Sequence, residues 1–502
     1  MTRRVWALPL KIDPLLPMVC LVALAIYLPR GFSGGISRDS AFYVYAGQLV
    51  ADGVPPYVGL FNRAGPLAHL LPGLGVAAAR LVGGDDVFGV RVVFLLLTVA
   101  AVGLAYVLGR DLFRSRWAGV ATAGAMLAFN AFSRYATYGP TEKTAMVMLL
   151  LAALLAVVHQ RWATTGVLIS LATLTWQPVF PAIFAGAVVA VLIGVPAGKI
   201  RALSRLVLGG VVPLLVTVAA FASIGHLRTF LDAFVLVNAQ YARPRPLLDA
   251  PPVVWHGVAR AFGWSIWVFA IGAVAVLVAA VRAAFDRDQR REPPSAALIA
   301  VGVTQAVGLL WTLYSFDGFP DTFLLLPAAA LGFGAMVAAI GRRSQRAAAA
   351  TAVAFALLAT TMGLVSSVTT RTTTLDKQRE DVAAVVRILP DDAQILSVQA
   401  PLPLVLSQKQ NSNRYQLYAN GLVAYLDDTW PGGRVGYARS IVGREPTVIA
   451  VDRPDNSRWI TRHMHDYRMV GESTGWVWYL HKDVGAETLT AVRTVLQGAT
   501  AP

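Results

Sequence analysis

The chain has 502 residues, 56% of them hydrophobic and only 14% charged, with a mean hydropathy of +0.58. Soluble domains carry about 25% charged residues, so the composition excludes an ordinary soluble protein and points to a polytopic membrane protein. The formal net charge of +15 leaves nucleic acid, anionic lipid and membrane topology open as explanations, and the placement of the charges decides among them. A single cysteine, Cys20, gives neither a disulfide framework nor a cysteine metal site.

The N-terminal stretch Met1 to Lys11 resembles the n-region of a signal peptide. No small-residue cleavage site follows it, so it is read as leading into an uncleaved first span. Stretches apolar enough to cross about 30 Å of hydrocarbon then recur until about Ser366. The first six are Leu15 to Leu28, Arg91 to Gly109, Trp117 to Tyr135, Glu142 to His159, Ala163 to Trp176 and Pro178 to Leu192. Five more follow, Leu206 to Ile224, Phe262 to Val281, Ala296 to Tyr314, Pro320 to Ile340 and Ala347 to Val365. Pro66 to Leu81 is also apolar but is short and interrupted by Pro72, Gly73 and Gly75, which predicts an interfacial helix and leaves about eleven crossings. On that assignment seventeen Lys and Arg residues fall in short loops on the side of the N-terminus, against eleven in the longer loops opposite. By the positive-inside rule the N-terminus is cytoplasmic. The excess charge is then mostly a topology signal, and nucleic-acid binding, which needs basic residues on one soluble face, is not supported.

This topology creates two long outer loops, residues 29–90 and 225–261, and loops of that length are usually functional. Residues 1–366 form the transmembrane domain. Residues 367–502 read as a small soluble extracytoplasmic α/β domain, with a helix over Leu375 to Leu389. Strand-like runs follow at Gln394 to Val398, Thr447 to Val451, Arg468 to Glu472 and Trp476 to His481. Its aromatic residues Tyr415, Tyr418, Tyr425, Trp430, Trp476, Trp478 and Tyr479 suit core packing first and stacking on sugar faces second.

The first outer loop holds the densest polar pattern. From Asp39 to Val50 the apolar positions Phe42, Ala46, Leu49 and Val50 recur at helical spacing, which predicts an amphipathic helix in the membrane interface with Asp39 at its start. Asp39 is either the cap of that helix or an acid held at the membrane surface. The stretch continues through Gly53, Pro56-Tyr57 and Asn62-Arg63-Ala64-Gly65-Pro66-Leu67 to Gly84-Asp85-Asp86-Val87-Phe88-Gly89-Val90-Arg91. In order and spacing it resembles the GT-C membrane glycosyltransferases of the aminoarabinose-transferase and protein O-mannosyltransferase type. The likeness extends through Gly109-Arg110-Asp111-Leu112-Phe113 to Tyr135-Ala136-Thr137-Tyr138-Gly139-Pro140-Thr141-Glu142, where the family has a second acid. It fades after about Leu150. A fainter echo returns at Gly318 to Pro327, where Asp321-Thr322 replaces a basic or aromatic pair.

The resemblance implies an all-α polytopic GT-C fold and transfer of a sugar, with inversion, from a polyprenyl-phosphate carrier to an acceptor hydroxyl. The acceptor would be a cell-envelope glycan, lipoglycan or protein, and the sugar mannose or arabinose. The site would lie at the outer face of the cell membrane. High Ala, Val, Arg and Gly usage suggests a GC-rich bacterium with decaprenyl or undecaprenyl phosphate as carrier. The resemblance makes Asp39 the base that takes the hydroxyl proton and Glu142 its acidic companion. Arg63 stands at the family's basic position, and Arg243 and Arg245 in the second loop also suit the carrier phosphate. Glu142 has a plainer reading as a helix-start acid paired with Lys143 or Arg134. Some family members use a divalent cation, but no His and acid spacing marks a metal site here, and His69, His226 and His256 are scattered. A Gly-rich phosphate loop with Lys-Ser/Thr is lacking, so no nucleotide is expected. Two alternatives remain open at this level, a transporter or flippase of lipid-linked sugars and a catalytically inactive scaffold of the same fold. No internal repeat is evident, and the spans are nearly free of charge, which disfavours transport.

Overall fold

The computed structural model describes residues 13–241, 246, 249–286, 290–418, 421–452 and 454–499. In chain order its membrane part consists of α1 (Leu15–Tyr27), α2 (Arg38–Ala51), α3 (Leu67–Leu81), α4 (Asp86–Phe113), α5 (Arg116–Ala128), α6 (Glu142–Val158) and α7 (Trp162–Thr173). It continues with α8 (Val179–Gly194), α9 (Lys199–Ser223), α10 (Ala250–Phe262), α11 (Ser265–Phe285), α12 (Pro293–Tyr314), α13 (Leu326–Gly341) and α14 (Gln345–Thr369). A helix occupies each of the eleven apolar stretches expected to cross. Six of them, α4, α9, α11, α12, α14 and α13 with its lead-in turn, are each long and apolar enough to span a bilayer unaided. The others are shorter, and α6 is entered through a bend of 117° from the short helical turns Asn130–Ser133 and Tyr135–Tyr138.

Packing follows from where the apolar side chains lie on each helix. The 28 residues of α4 extend about 42 Å at 1.5 Å per residue. Helix α4 is packed by α1, α3, α5 and α6, and most of its apolar length is buried against them. By contrast α9 leaves Leu208, Val212, Leu215 and Val216 exposed, and α11 leaves Trp267, Ile271, Val274 and Val278 exposed. Faces of that kind need hydrocarbon against them. Small residues allow the closest crossings. A Cβ on Gly332 of α13 would lie 2.0 Å from the Gly272 carbonyl oxygen of α11.

Beyond α14, which runs to Thr369, lies the C-terminal domain. It contains α15 (Thr374–Val386), β1 (Ile395–Val398), α16 (Leu402–Ser407), α17 (Leu422–Thr429), α18 (Gly433–Val442), β2 (Val448–Val451), β3 (Tyr467–Ser473), β4 (Trp476–His481) and α19 (Ala486–Ala499). The strands form one sheet in the order β1-β2-β4-β3, with β1 and β2 parallel and the other pairs antiparallel. Both faces of β1 and β2 are buried, which explains why these strands read as unbroken apolar runs. On one face Ile395, Val448, Ala450, Trp478 and Leu480 join a core that continues into Phe42, Val44, Tyr45 and Leu49 of α2. On the other, Leu396, Val398, Ile449 and Val451 share a core with Tyr57 and Phe61 of the first loop and Phe230 and Phe234 of the second. The domain is therefore built onto both long loops rather than tethered beside them.

Helix α2 departs from the expectation of an interfacial helix with an open polar side. It is buried on most sides, and its polar residues are used internally. Gln48 donates to Asp86 Oδ2 at 3.0 Å and to the Val405 carbonyl at 3.1 Å, and the Tyr45 hydroxyl accepts from the Asn411 N–H at 2.8 Å. The aromatic set of the C-terminal domain is largely core. Tyr415, Tyr418, Tyr425, Trp476 and Trp478 are buried, so the sugar-stacking alternative does not hold for them.

Candidate active site

The first loop is fixed from two directions before it reaches Asp39. The guanidinium of Arg91, buried in α4, donates to the Phe32 carbonyl and, at 2.7 Å, to the Gly34 carbonyl, and the Tyr138 ring lies 5.8 Å from both Arg30 and Arg91. Gln378 of α15 then clamps Ile36, accepting its N–H at 2.9 Å and donating to its carbonyl at 3.2 Å. The cap of α2 is Ser37, whose Oγ accepts the Ser40 N–H at 3.2 Å. This corrects the capping alternative for Asp39. It stands in the first turn, where the helix dipole favours a carboxylate, with its side chain 70% exposed and Arg38 Nε 3.2 Å away. Arg38 also reaches Gln399 at 3.4 Å and Asp452 at 3.9 Å in the C-terminal domain.

Arg63 is placed by its backbone. Its carbonyl accepts from Gln177 Nε2 at 2.7 Å and from Asn238 Nδ2 at 2.9 Å. The Gly65 and Leu67 N–H groups bond the Thr175 and Leu174 carbonyls at 3.2 and 3.0 Å. Only glycine fits this strap, since a Cβ on Gly65 would come within 2.0 Å of the Leu174 carbonyl oxygen. The Arg63 guanidinium pairs with Asp317 at 2.7 Å.

Glu142 opens α6 and is nearly fully buried. Its Oε2 accepts from Thr141 Oγ1 at 3.1 Å and its Oε1 from Lys143 Nζ at 2.6 Å. The helix-start reading of Glu142 is thus correct in naming Lys143 as its partner. Lys143 lies in addition 3.4 Å from Asp321 Oδ1 and 5.0 Å from the centre of the Trp176 ring. Asp321 is oriented by the Asp317 and Gly318 N–H groups, which its Oδ2 accepts at 2.7 and 3.2 Å. Burial and the neighbouring Glu142 carboxylate hold the Tyr43 phenol well above its ordinary value, so Tyr43 faces the site as a neutral donor.

Asp39, Arg63, Glu142, Lys143, Asp317 and Asp321 all line one cavity of about 440 Å³, within the usual size range of small-molecule sites. Leu417 and Leu422 of the C-terminal domain close part of its rim. Three of the five residues singled out in the sequence are therefore brought together. Arg243 and Arg245 lie outside the described residues. Asp317 and Asp321, which pair with Arg63 and Lys143, belong to no local motif, and neither does Lys143 itself. A lysine at the head of an apolar helix was the available signal, since ionisable groups at the edge of a span are retained only where they are paired or used.

A divalent cation does not fit the two carboxylates that converge here. Glu142 and Asp321 meet on the Lys143 ammonium, and among the described residues no group of three His, Cys, Asp or Glu side chains is placed to hold a metal ion.

No family model matches the sequence, and no curated protein matches it. Solved structures do. The aminoarabinose transferase ArnT from Cupriavidus metallidurans in the apo state superposes with a TM-score of 0.64 at 15% identity, covering 96% of this chain and 98% of that one. The same protein bound to undecaprenyl phosphate gives 0.65 at 14% identity, with 94% and 98% covered. The oligosaccharyltransferase of Archaeoglobus fulgidus, crystallised with Zn and sulfate, gives 0.54 at 11% identity, with 94% and 74% covered. At these identities the likeness is one of fold. The chain has the GT-C fold, a polytopic helical membrane body carrying a small C-terminal α/β domain.

Proposed function

We propose that this protein is an inverting glycosyltransferase that moves a sugar from a polyprenyl-phosphate carrier to a hydroxyl acceptor at the outer face of the cell membrane. The observation that carries the reading is the convergence of Asp39, Arg63 and Glu142, chosen from sequence alone, on a single cavity beneath the C-terminal domain. A hydroxyl is too weak an acid to attack unaided, so a carboxylate within reach must take its proton as the new bond forms. Asp39, 70% exposed, is the most open carboxylate of the cavity, and Arg38 engages only its Oδ1, so its other oxygen is the one placed to take the proton. As the acceptor oxygen attacks C1 from the opposite side, the bond from C1 to the phosphate oxygen breaks. The electron pair stays on the phosphate, and the Arg63 guanidinium offsets the charge that appears there. The likeness in fold to a protein solved with undecaprenyl phosphate supports a lipid-phosphate donor.

The N-terminus is assigned to the cytoplasm and the C-terminal domain to the outside. Mannose or arabinose passing to an envelope glycan, lipoglycan or protein is the specific transfer proposed. The test is incubation of the purified protein in detergent with synthetic polyprenyl-phosphate mannose or arabinose and a panel of hydroxyl acceptors. Product of inverted anomeric configuration, seen by NMR, is expected. Translocation of the lipid in liposomes without any transfer would sink the proposal in favour of a flippase.

A further inference from the structure

Lys143 is the second residue of an apolar helix, yet its side chain is only 12% exposed. Burying an ammonium is costly unless it is paired and hydrogen-bonded, and here three groups from separate elements meet it. Glu142 Oε1 comes from α6 at 2.6 Å and Asp321 Oδ1 from the turn before α13 at 3.4 Å. The face of Trp176, beyond α7, lies at 5.0 Å, a distance that suits a cation over a ring. Convergent carboxylate oxygens are also what a hard divalent cation seeks, but at about 2.0 to 2.6 Å. Here the Lys143 ammonium already engages both oxygens, through a charge-assisted N–H···O contact at 2.6 Å and a looser ion pair at 3.4 Å. A divalent ion set between the same oxygens would add two positive charges directly beside an ammonium already there.

We propose that Lys143 is the resident cation of this site. It takes the place a divalent metal would occupy between Glu142 and Asp321, and the protein works without one. The proposal rests on the glycosyl-transfer reading above only for its catalytic consequence. The leaving phosphate meets Lys143 and Arg63 rather than a metal ion, the acceptor proton goes to Asp39, and no further reactant is needed. Glu142 and Asp321 are then positioning residues that hold the ammonium in place.

The test uses the full-length protein in detergent, titrated with Mn²⁺ alone and followed by the electron paramagnetic resonance of the free ion. Wild type and Lys143→Arg are expected to show no one-to-one site, and Lys143→Met to gain one. Wild-type transfer should change by less than about twofold on adding EDTA. In Lys143→Met it should fall by about 10² to 10³, as when a charge-stabilising donor is removed from a transition state, and recover in part with Mn²⁺. A one-to-one Mn²⁺ site in wild type that disappears in Glu142→Gln overturns the proposal. So does a Lys143→Met protein that melts like wild type and binds no Mn²⁺. If Lys143→Met does not fold, the wild-type titration decides the matter alone. Failure to transfer any sugar would remove the glycosyl-transfer reading and leave the Mn²⁺ result standing.

Discussion

Asp39 and Glu142 occupy the same kind of position and live in opposite surroundings. Each stands in the first turn of a helix and lines the same cavity. The Asp39 side chain is 70% exposed, because the capping bond is made by Ser37. Both oxygens of the Glu142 side chain, 7% exposed, are engaged by Thr141 and Lys143. Two carboxylates whose environments differ this much are suited to different work. The open one can exchange a proton with a substrate, and the closed one holds a cation and the geometry around it.

The comparison breaks most sharply at Asp39. Asp39→Asn keeps the shape and removes the base, so kcat should fall by about 10² to 10⁴ while the melting temperature stays within error of wild type. Steady-state transfer and a thermal melt in detergent check both halves. Glu142→Gln leaves the buried Lys143 with Asp321 as its one remaining carboxylate, and the loss should approach the roughly 3–5 kcal/mol that breaking a buried pair costs. A clear drop in melting temperature is expected, and Lys143→Met in the same background should restore part of it. Gly65→Ala probes the strap that carries Arg63. The new Cβ must push away the Leu174 carbonyl, at about 1–3 kcal/mol, and the displaced Arg63 should weaken donor binding, read as a raised KM with the melt only slightly lowered.

The smallest effect at neutral pH concerns His69 of α3, which lies against Tyr57 with ring centres 5.1 Å apart. Burial pushes its pKa down from 6.5 to about 3. The folded chain keeps the imidazole neutral, whereas the unfolded chain takes up a proton below about pH 6.5. The associated stability is therefore complete above pH 6.5 and is lost as pH falls toward 3, by about 1.4 kcal/mol per pH unit. Melting curves across that range should show a shallower slope for His69→Gln, and an unchanged slope would mean that His69 does not contribute.

The eleven helices and the strands β1 and β2 were legible because a membrane helix must be apolar along its length and a fully buried strand must be apolar on both faces. Asp39, Arg63 and Glu142 were legible because their motifs are local and keep their order along the first loops. What was not legible depends on distant partners. Arg63 and Asp317 are 254 residues apart, and Gln378 clamps Ile36 across 342. Ser37 and Asp39 are two residues apart and both are good caps, so spacing could not say which would cap α2. The burial of α2 was missed for the same reason. Its outer face reads as polar until the C-terminal domain, which supplies Val405 and Asn411, is set against it.

The most direct test of two carboxylates with two tasks is a side-by-side measurement of single-turnover transfer and thermal melting for Asp39→Asn and Glu142→Gln in one detergent preparation. The expected result is a split, with Asp39→Asn losing its rate and keeping its melting temperature, and Glu142→Gln losing melting temperature. A folded Asp39→Asn protein that still transfers sugar at the wild-type rate would contradict the account.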